Sequence, residues 1–196
     1  MAVAGLVLAA GSGSRLGAPK ALVELGGERL VDRAVRVLRD GGCDPLVVVS
    51  GAAPFTVAGA TVVPNPDWAT GMGSSLRVGL GALAATDAAA VVVSLVDQPD
   101  IGADVVRRVI DAFAAGASVA TATYEGKRRN PVLFARPTWD EVARLAEGDA
   151  GARPFLAAHP ELITPVACDD LGSPADIDTP ADLARARGEA DGAPGR

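Results

Sequence analysis

Four stretches of this chain carry residue types and spacings that could do chemistry. In the first, the apolar run Val3 to Ala9 breaks at Ala10 into a loop holding Gly11, Gly13 and Gly17, with Arg15 and Lys20 as its only charges. Glycines let backbone N–H groups close on phosphate oxygens without a Cβ in the way, and two nearby cations neutralise what the amides cannot. The second is Asp97, which follows the most apolar run of the chain, Ala88 to Val96, and precedes Gln98-Pro99. A carboxylate where a buried strand meets solvent is costly unless something positive meets it, and magnesium favours one or two carboxylates together with phosphate oxygens and water. Capping of the helix that begins near Gly102 is the weaker reading, because Asp104 or the Gly102 backbone lies nearer. In the third, Ser74 and Ser75 stand at the start of a helical pattern, among N–H groups that a helix leaves unpaired. The fourth, Lys127-Arg128-Arg129 before Asn130-Pro131, is either a solvated hairpin tip or a local positive patch for an anionic substrate.

Two familiar glycine loops do not fit the first stretch. A dinucleotide fingerprint would place its third glycine at Leu16, and its second strand would end in an acid rather than at Ser50. A Walker loop needs lysine directly after its last glycine and then a hydroxyl residue, whereas Ala18-Pro19 intervene here and Ala21 follows Lys20.

The 196 residues suit one domain, expected over 1–187 with a disordered tail over 188–196, and 49% hydrophobic residues suffice for a substantial core. A net charge of −6 argues against a general nucleic-acid binder. Cys43 and Cys168 lie far apart without metal-ligand spacing and read as free thiols. The apolar start has no basic region before it and no cleavage site after it, and no stretch approaches the ~20 apolar residues that span a bilayer, so a soluble cytoplasmic protein is expected.

The elements that must position these groups follow from periodicity. Leu30, Val31, Ala34, Val35 and Leu38 define a helix stopped by Gly41-Gly42, with Pro45 to Val49 and Ala60 to Val63 as strands after it. Asn65-Pro66-Asp67-Trp68 is a turn, and Leu76, Gly79, Leu80 and Leu83 share a helical face. Val105 to Phe113 is a helix ended by Gly116, Ser118 to Tyr124 a strand, and Val132-Leu133-Phe134 another. Thr138 to Ala146 and Pro154 to Ala158 are helices, Ile163 to Ala167 is the last strand, and Thr179-Pro180 opens the final helix. His159 at a helix end caps or faces solvent. Strand and helix keep alternating, which gives an α/β chain with a three-layer, Rossmann-like, mainly parallel sheet covered by helices on both faces and ligands at the carboxyl ends of the strands.

Leu8-Ala9-Ala10-Gly11-x-Gly13-Ser14-Arg15-Leu16-Gly17-x-Pro19-Lys20 resembles the opening signature of the nucleotidyltransferases that act on sugar nucleotides and the molybdenum cofactor. Within that superfamily it is similar to the molybdenum cofactor cytidylyltransferases. The resemblance implies nucleotide contacts from Leu8 to Gly11, from Gly13, Ser14, Arg15 and Lys20, and from Gly73, Ser74 and Ser75, the last opening a Ser75-Leu76-x-x-Gly79-Leu80 frame. Leu95-Val96-Asp97-Gln98-Pro99 resembles the metal-binding motif, and Asp176-x-Asp178-Thr179-Pro180-x-Asp182-Leu183 resembles the segment that supplies a second metal-binding aspartate, Asp178. The acceptor side would take Gln98, Arg128, Arg129, Asn130, Pro131 and Arg153; many relatives read Gly-His-Pro where this chain reads Arg129-Asn130-Pro131. The implied reaction moves CMP from CTP to the terminal phosphate of molybdenum-loaded molybdopterin with Mg2+, or Mn2+ in its place. Magnesium between Asp97 and Asp178 would hold both phosphates in line, while Arg15 and Lys20 stabilise the leaving pyrophosphate. Guanylyltransferase relatives read Leu-Ala-Gly-Gly where this chain has Leu8-Ala9-Ala10-Gly11, which favours CTP over GTP. A monomer is expected, with a recipient molybdoenzyme or its chaperone as the partner and neither nucleic acid nor membrane.

Overall fold

The computed structural model describes residues 1–188. The tail expected to be disordered therefore lies outside the described residues, apart from Gly188. In chain order the strands are β1 (Val3–Leu8), β2 (Glu24–Leu25), β3 (Glu28–Arg29), β4 (Leu46–Ser50), β5 (Thr61–Pro64), β6 (Ala90–Leu95), β7 (Val119–Tyr124), β8 (Lys127–Ala135) and β9 (Ile163–Ala167). The helices are α1 (Leu30–Asp40), α2 (Met72–Leu83), α3 (Ala103–Ala114), α4 (Trp139–Leu145), α5 (Arg153–Ala158) and α6 (Pro180–Ala186). Seven strands form one sheet in the order β5-β4-β1-β6-β8-β7-β9, and β2 and β3 form a separate small ribbon. No helix among the described residues is long and apolar enough to cross a membrane.

Every residue of β1 is buried, with β4 parallel on one side and β6 parallel on the other. A strand covered on both faces has no solvated side to mark with polar residues, hence its unbroken apolar run. Its side chains still alternate: Val3, Val7 and Ala9 join one core with α1 and α3, while Ala4, Leu6, Leu8 and Ala10 join another with α2, α4 and α5. A Cβ on Gly79 would lie 2.4 Å from Leu6 Cδ1. The bare glycine thus lets α2 sit close on β1, and that contact sets where the first turn of α2 meets the sheet edge.

β8 alone runs antiparallel to its neighbours, β6 and β7, while β7 pairs in parallel with β9. The reason is local. β7 and β8 are joined by the two-residue turn Glu125-Gly126, with φ of 50° and 71°, the geometry that matches the twist of a tight hairpin. Lys127, Arg128 and Arg129 consequently belong to β8 and pair with Tyr124, Thr123 and Ala122, rather than forming a hairpin tip. The ladder then jumps from Ala122↔Arg129 to Thr121↔Val132. Asn130 and Pro131 bulge out at that jump, at the carboxyl end of the neighbouring β6.

Candidate active site

The carboxyl ends of β1 and β6 meet the segment before α6. The Val96 N–H donates to the Leu8 carbonyl at 3.3 Å, and the Ile177 N–H donates to the Asp97 carbonyl at 2.8 Å. Ile177 is buried in the core, so its neighbour Asp178 is delivered to the edge where β6 releases Asp97. A capping box fixes α6 behind it: the Thr179 N–H donates to Asp182 Oδ2 at 2.8 Å, and the Asp182 N–H donates to Thr179 Oγ1 at 3.2 Å. The cap of the helix that Thr179-Pro180 opens and the positioning of Asp178 are thus one device.

The glycine loop leaves β1 and folds on itself, with the Leu16 and Gly17 N–H groups donating to the Gly13 carbonyl at 2.8 and 2.9 Å. Gly13 has φ of 61°, and a Cβ there would fall 1.9 Å from the Ala18 carbonyl oxygen. No other residue fits. The loop ends in the 3-10 turn Lys20–Leu22, which brings Lys20 between the two aspartates, where its ammonium donates to Asp97 Oδ2 at 2.6 Å and to Asp178 Oδ1. Arg15 Nη2 lies 3.2 Å from Asp178 Oδ2, its side chain otherwise 71% exposed. Burial by itself would lower the Lys20 ammonium below 10.5, but the hydrogen bonds to Asp178 and Asp97 outweigh it and hold the group higher. The same bond from Lys20 keeps the Asp178 carboxyl below its ordinary value. The sequence reading placed Lys20 on a leaving phosphate and a metal between the aspartates; in the structure the ammonium occupies the place between them.

These groups line a cleft of about 460 Å³, to which Leu8, Ala10, Gly11, Gly13, Ser14, Arg15 and Ser75 also contribute. Ala9 faces the core instead and donates its N–H to the Val49 carbonyl. Ser75 is buried in the first turns of α2 and accepts from Asn65 Nδ2 at 3.0 Å, which leaves its own hydroxyl hydrogen for a ligand. Ser74 is different: it accepts from Asn65 at 2.8 Å and points its hydroxyl at the Gly71 and Asp67 carbonyls. Ser74 and Gly73 do not line the cleft, and a Cβ on Gly73 would meet the Glu147 backbone at 2.7 Å. Both hold the wall that Ser75 belongs to.

A second cavity, of about 890 Å³, adjoins the first and shares Met72, Leu95 and Asp149 with it. Gln98, Arg128, Arg129, Asn130 and Arg153 line it, while Pro131 is buried behind the bulge. Arg153 spends two donors on the Asp149 and Ala150 carbonyls at 2.9 and 3.2 Å, which fixes the loop between the cavities. Gln98 Nε2 donates to Asp176 Oδ1 at 2.8 Å and to the Pro174 carbonyl at 3.2 Å. Two acceptors on one side fix which way the amide points, and its Oε1 is left buried without a partner. Thr121 Oγ1, also at this cavity, is equally unpartnered, as is Asp97 Oδ1 in the wall of the first cleft. Three of the five unpartnered buried side-chain atoms among the described residues therefore sit at the two cavities, and such atoms call for an explanation.

Sequence reasoning missed Asn65, Thr121, Met72 and Trp68, the last of which also lines the first cleft. Asn65 read as a turn residue, and nothing in a turn pattern signals that its amide is buried and aimed at two serines. His159 lines neither cavity; it stacks on Phe155 with ring centroids 4.8 Å apart and faces Glu141 and Glu161.

Residues 5–162 match the family described as the MobA-like NTP transferase domain. The chain belongs to that family. Among its relatives, the nicotine blue oxidoreductase of Paenarthrobacter nicotinovorans is 36% identical, over 90% of this chain and 92% of that protein. The molybdenum cofactor guanylyltransferase of Rhodobacter capsulatus is 32% identical, over 95% of each. Rv0371c of Mycobacterium tuberculosis H37Rv superposes with a TM-score of 0.82 at 30% identity, covering 96% of this chain and 98% of that one. A complex of Rv0371c with manganese gives a TM-score of 0.79 at 29% identity, covering 96% and 99%. This MobA-like domain spans the glycine loop, Asp97 and the basic strand β8, while Asp178 lies beyond the matched residues.

Proposed function

We propose that this MobA-like protein transfers a nucleotidyl group from a nucleoside triphosphate, with CTP as the donor, to the terminal phosphate of a molybdenum-loaded molybdopterin. The product is a pterin cytosine dinucleotide, and pyrophosphate leaves. The observation that carries this reading is the juxtaposition of two cavities, one walled by the glycine loop and Asp97 and one by Arg128 and Arg129, which share Met72, Leu95 and Asp149 and are lined on either side by the successive residues Asp97 and Gln98.

The donor triphosphate lies along the loop amides with Ser75 donating to the nucleoside, while Arg15 and Lys20 reach the β- and γ-phosphates. The acceptor phosphate enters from the second cavity, its charge met by Arg128 and Arg129. An oxygen of that phosphate attacks the α-phosphorus, and the bond from the α-phosphorus to the bridging oxygen breaks on the far side. The electron pair leaves on pyrophosphate, where Lys20 and Arg15 stabilise it. The nucleophile is already an anion, so no general base is required, consistent with the position of His159 outside both cavities.

Asp97 and Asp178 fit a divalent cation of the Mg2+ or Mn2+ type. Two carboxylates are a hard oxygen set that phosphate oxygens and water complete, and Asp97 Oδ1 is a buried oxygen with no other partner. When bound, such a cation neutralises charge on the α-phosphate and the incoming phosphate. The manganese complex of the mycobacterial homologue supports this assignment.

CTP is favoured by Ala10, whose methyl lines the cleft where guanylyltransferase relatives carry glycine; the Rhodobacter relative, a guanylyltransferase by name, makes GTP the competing donor. Pyrophosphate release with molybdenum-loaded molybdopterin and each of CTP, GTP, ATP and UTP decides. Turnover with CTP alone is expected, turnover with GTP alone reassigns the base, and silence with all four sends the reaction to another small phosphorylated acceptor. A second reading comes from the relative named nicotine blue oxidoreductase, under which the cavities would hold a heterocycle and a redox carrier. The protein's own thiols do not serve it, since Cys43 and Cys168 are buried, line neither cavity, and burial pushes the Cys43 thiol up to about 12. Oxidation of a reduced nicotinamide by the heterocycle, without pyrophosphate release from any triphosphate, would favour it.

A further inference from the structure

In the first cleft two carboxylates, Asp97 and Asp178, face two cations, Lys20 and Arg15, while a third carboxylate, Asp176, held by Gln98, lies near enough to feel the charges of Asp97, Asp178 and Lys20. One oxygen of each aspartate, Asp97 Oδ2 and Asp178 Oδ1, accepts from the same ammonium. Asp178 Oδ2 faces Arg15, and Asp97 Oδ1 is buried away from solvent. Among the described residues no cluster of three or more His, Cys, Asp or Glu offers a metal another seat. A divalent cation therefore meets two positive charges before it meets a vacant oxygen.

We propose that Lys20 is the resident counter-ion of the metal site, and that the metal enters only as a bound triphosphate draws the ammonium off the carboxylates. This rests on the nucleotidyl-transfer reading and adds an order of events to it. A triphosphate in the glycine loop offers Lys20 and Arg15 an equivalent set of anionic oxygens close by. Once the ammonium turns to them, Asp97 Oδ2 and Asp178 Oδ1 are exposed together, beside the phosphate oxygens that complete the metal's shell. Metal and triphosphate then raise each other's affinity by the same factor, as linkage requires. Lys20 can make this move because its side chain is a flexible stem carrying a point charge, with no planar fork to realign.

The test is Mn2+ binding to the nucleotide-free protein, read by electron paramagnetic resonance, with no turnover involved. Lys20→Met is expected to bind Mn2+ at least ~10-fold more tightly than the original protein, since a unit positive charge within a few ångströms has been removed. Arg15→Met, which relieves one oxygen of one aspartate, should give a smaller gain, and Lys20→Arg, which keeps the charge, should give none. Adding Asp97→Asn to Lys20→Met should abolish the gain. Should Lys20→Met be poorly folded by thermal unfolding, Lys20→Gln carries the same expectation. Unchanged or weaker Mn2+ binding in the lysine variants, in a protein that still binds Mn2+ together with CTP, overturns the counter-ion role and leaves nucleotidyl transfer standing. No Mn2+ binding by any variant, with or without CTP, overturns both.

Discussion

The glycine-loop cleft and the Arg128–Arg129 cavity meet at Met72, Leu95 and Asp149 but are built by opposite means. The first cleft is shaped by main chain, a loop whose path Gly13 fixes and a helix start that Gly79 brings close to β1, around one ionic cluster. The second cavity is lined by side chains carried on the β7–β8 hairpin and a loop that Arg153 ties down. Under the proposed reaction the difference has a reason: a triphosphate is the same object whatever base it carries, and backbone amides suit it, whereas an acceptor must be told from other phosphates, which side chains on a bulged strand can do without disturbing the rest of the sheet.

Removing Asp97 should have the largest effect. Asp97→Ala is expected to lower turnover by at least ~10²-fold, comparable with loss of one transition-state donor, with nucleotide affinity by fluorescence titration changed far less. Equal losses in turnover and nucleotide affinity would make Asp97 a structural part of the donor cleft alone. Next in size is the charge reversal Arg128→Glu with Arg129→Glu. It should raise the acceptor KM about tenfold or more while CTP affinity stays within a few fold, because charge-assisted contacts to phosphate are lost only in the second cavity. A matching loss of CTP affinity would erase the division between the two regions.

Thr121→Val sharpens the comparison on a smaller scale. The hydroxyl is buried and unpartnered, so an isosteric methyl should raise Tm slightly, on the order of 1 kcal/mol in stability at most. If acceptor binding uses that oxygen, the acceptor KM should rise a few fold in the same variant. A gain in stability with an unchanged KM would show that Thr121 lies behind the acceptor rather than against it. The smallest expected effect concerns pH. Asp178, held below 3.8 by Lys20, adds stability that is present above 3.8 and lost as pH falls through its folded value. Lys20, held above 10.5, adds stability present below 10.5 and lost as pH rises through its folded value. Denaturant unfolding of Lys20→Met should therefore show less loss of stability than the original protein at both ends of the pH range and the same slope between them.

What was legible in the sequence follows the same division. β1, β4 and β6 stand out as apolar runs because they are buried on both faces, and the glycine loop and Asp97 follow because they are where such runs must end. Seven strands in one mostly parallel sheet with helices on both sides agree with the α/β expectation. The placement of Lys127 to Arg129 was not legible, because Glu125 takes a positive φ that its residue type rarely adopts, and a two-residue turn was read as a longer loop. The division of labour between Ser74 and Ser75 was equally hidden, since it depends on Asn65 reaching across from another turn. Lys20 illustrates the general limit. Its type and spacing identified a cation for anions, but only the meeting of three distant segments shows that the anions it now holds are the protein's own.

The most direct test of the account is to follow the α-phosphorus itself. CTP labelled at the α-phosphate is incubated with Mg2+ and molybdenum-loaded molybdopterin, and the label is traced in the original protein and in Asp97→Ala. Nucleotidyl transfer across the junction predicts label in a pterin dinucleotide, formed in step with pyrophosphate and nearly absent in the variant. Label that remains in CTP or appears as free CMP with the original protein, or equal transfer by both proteins, would contradict it.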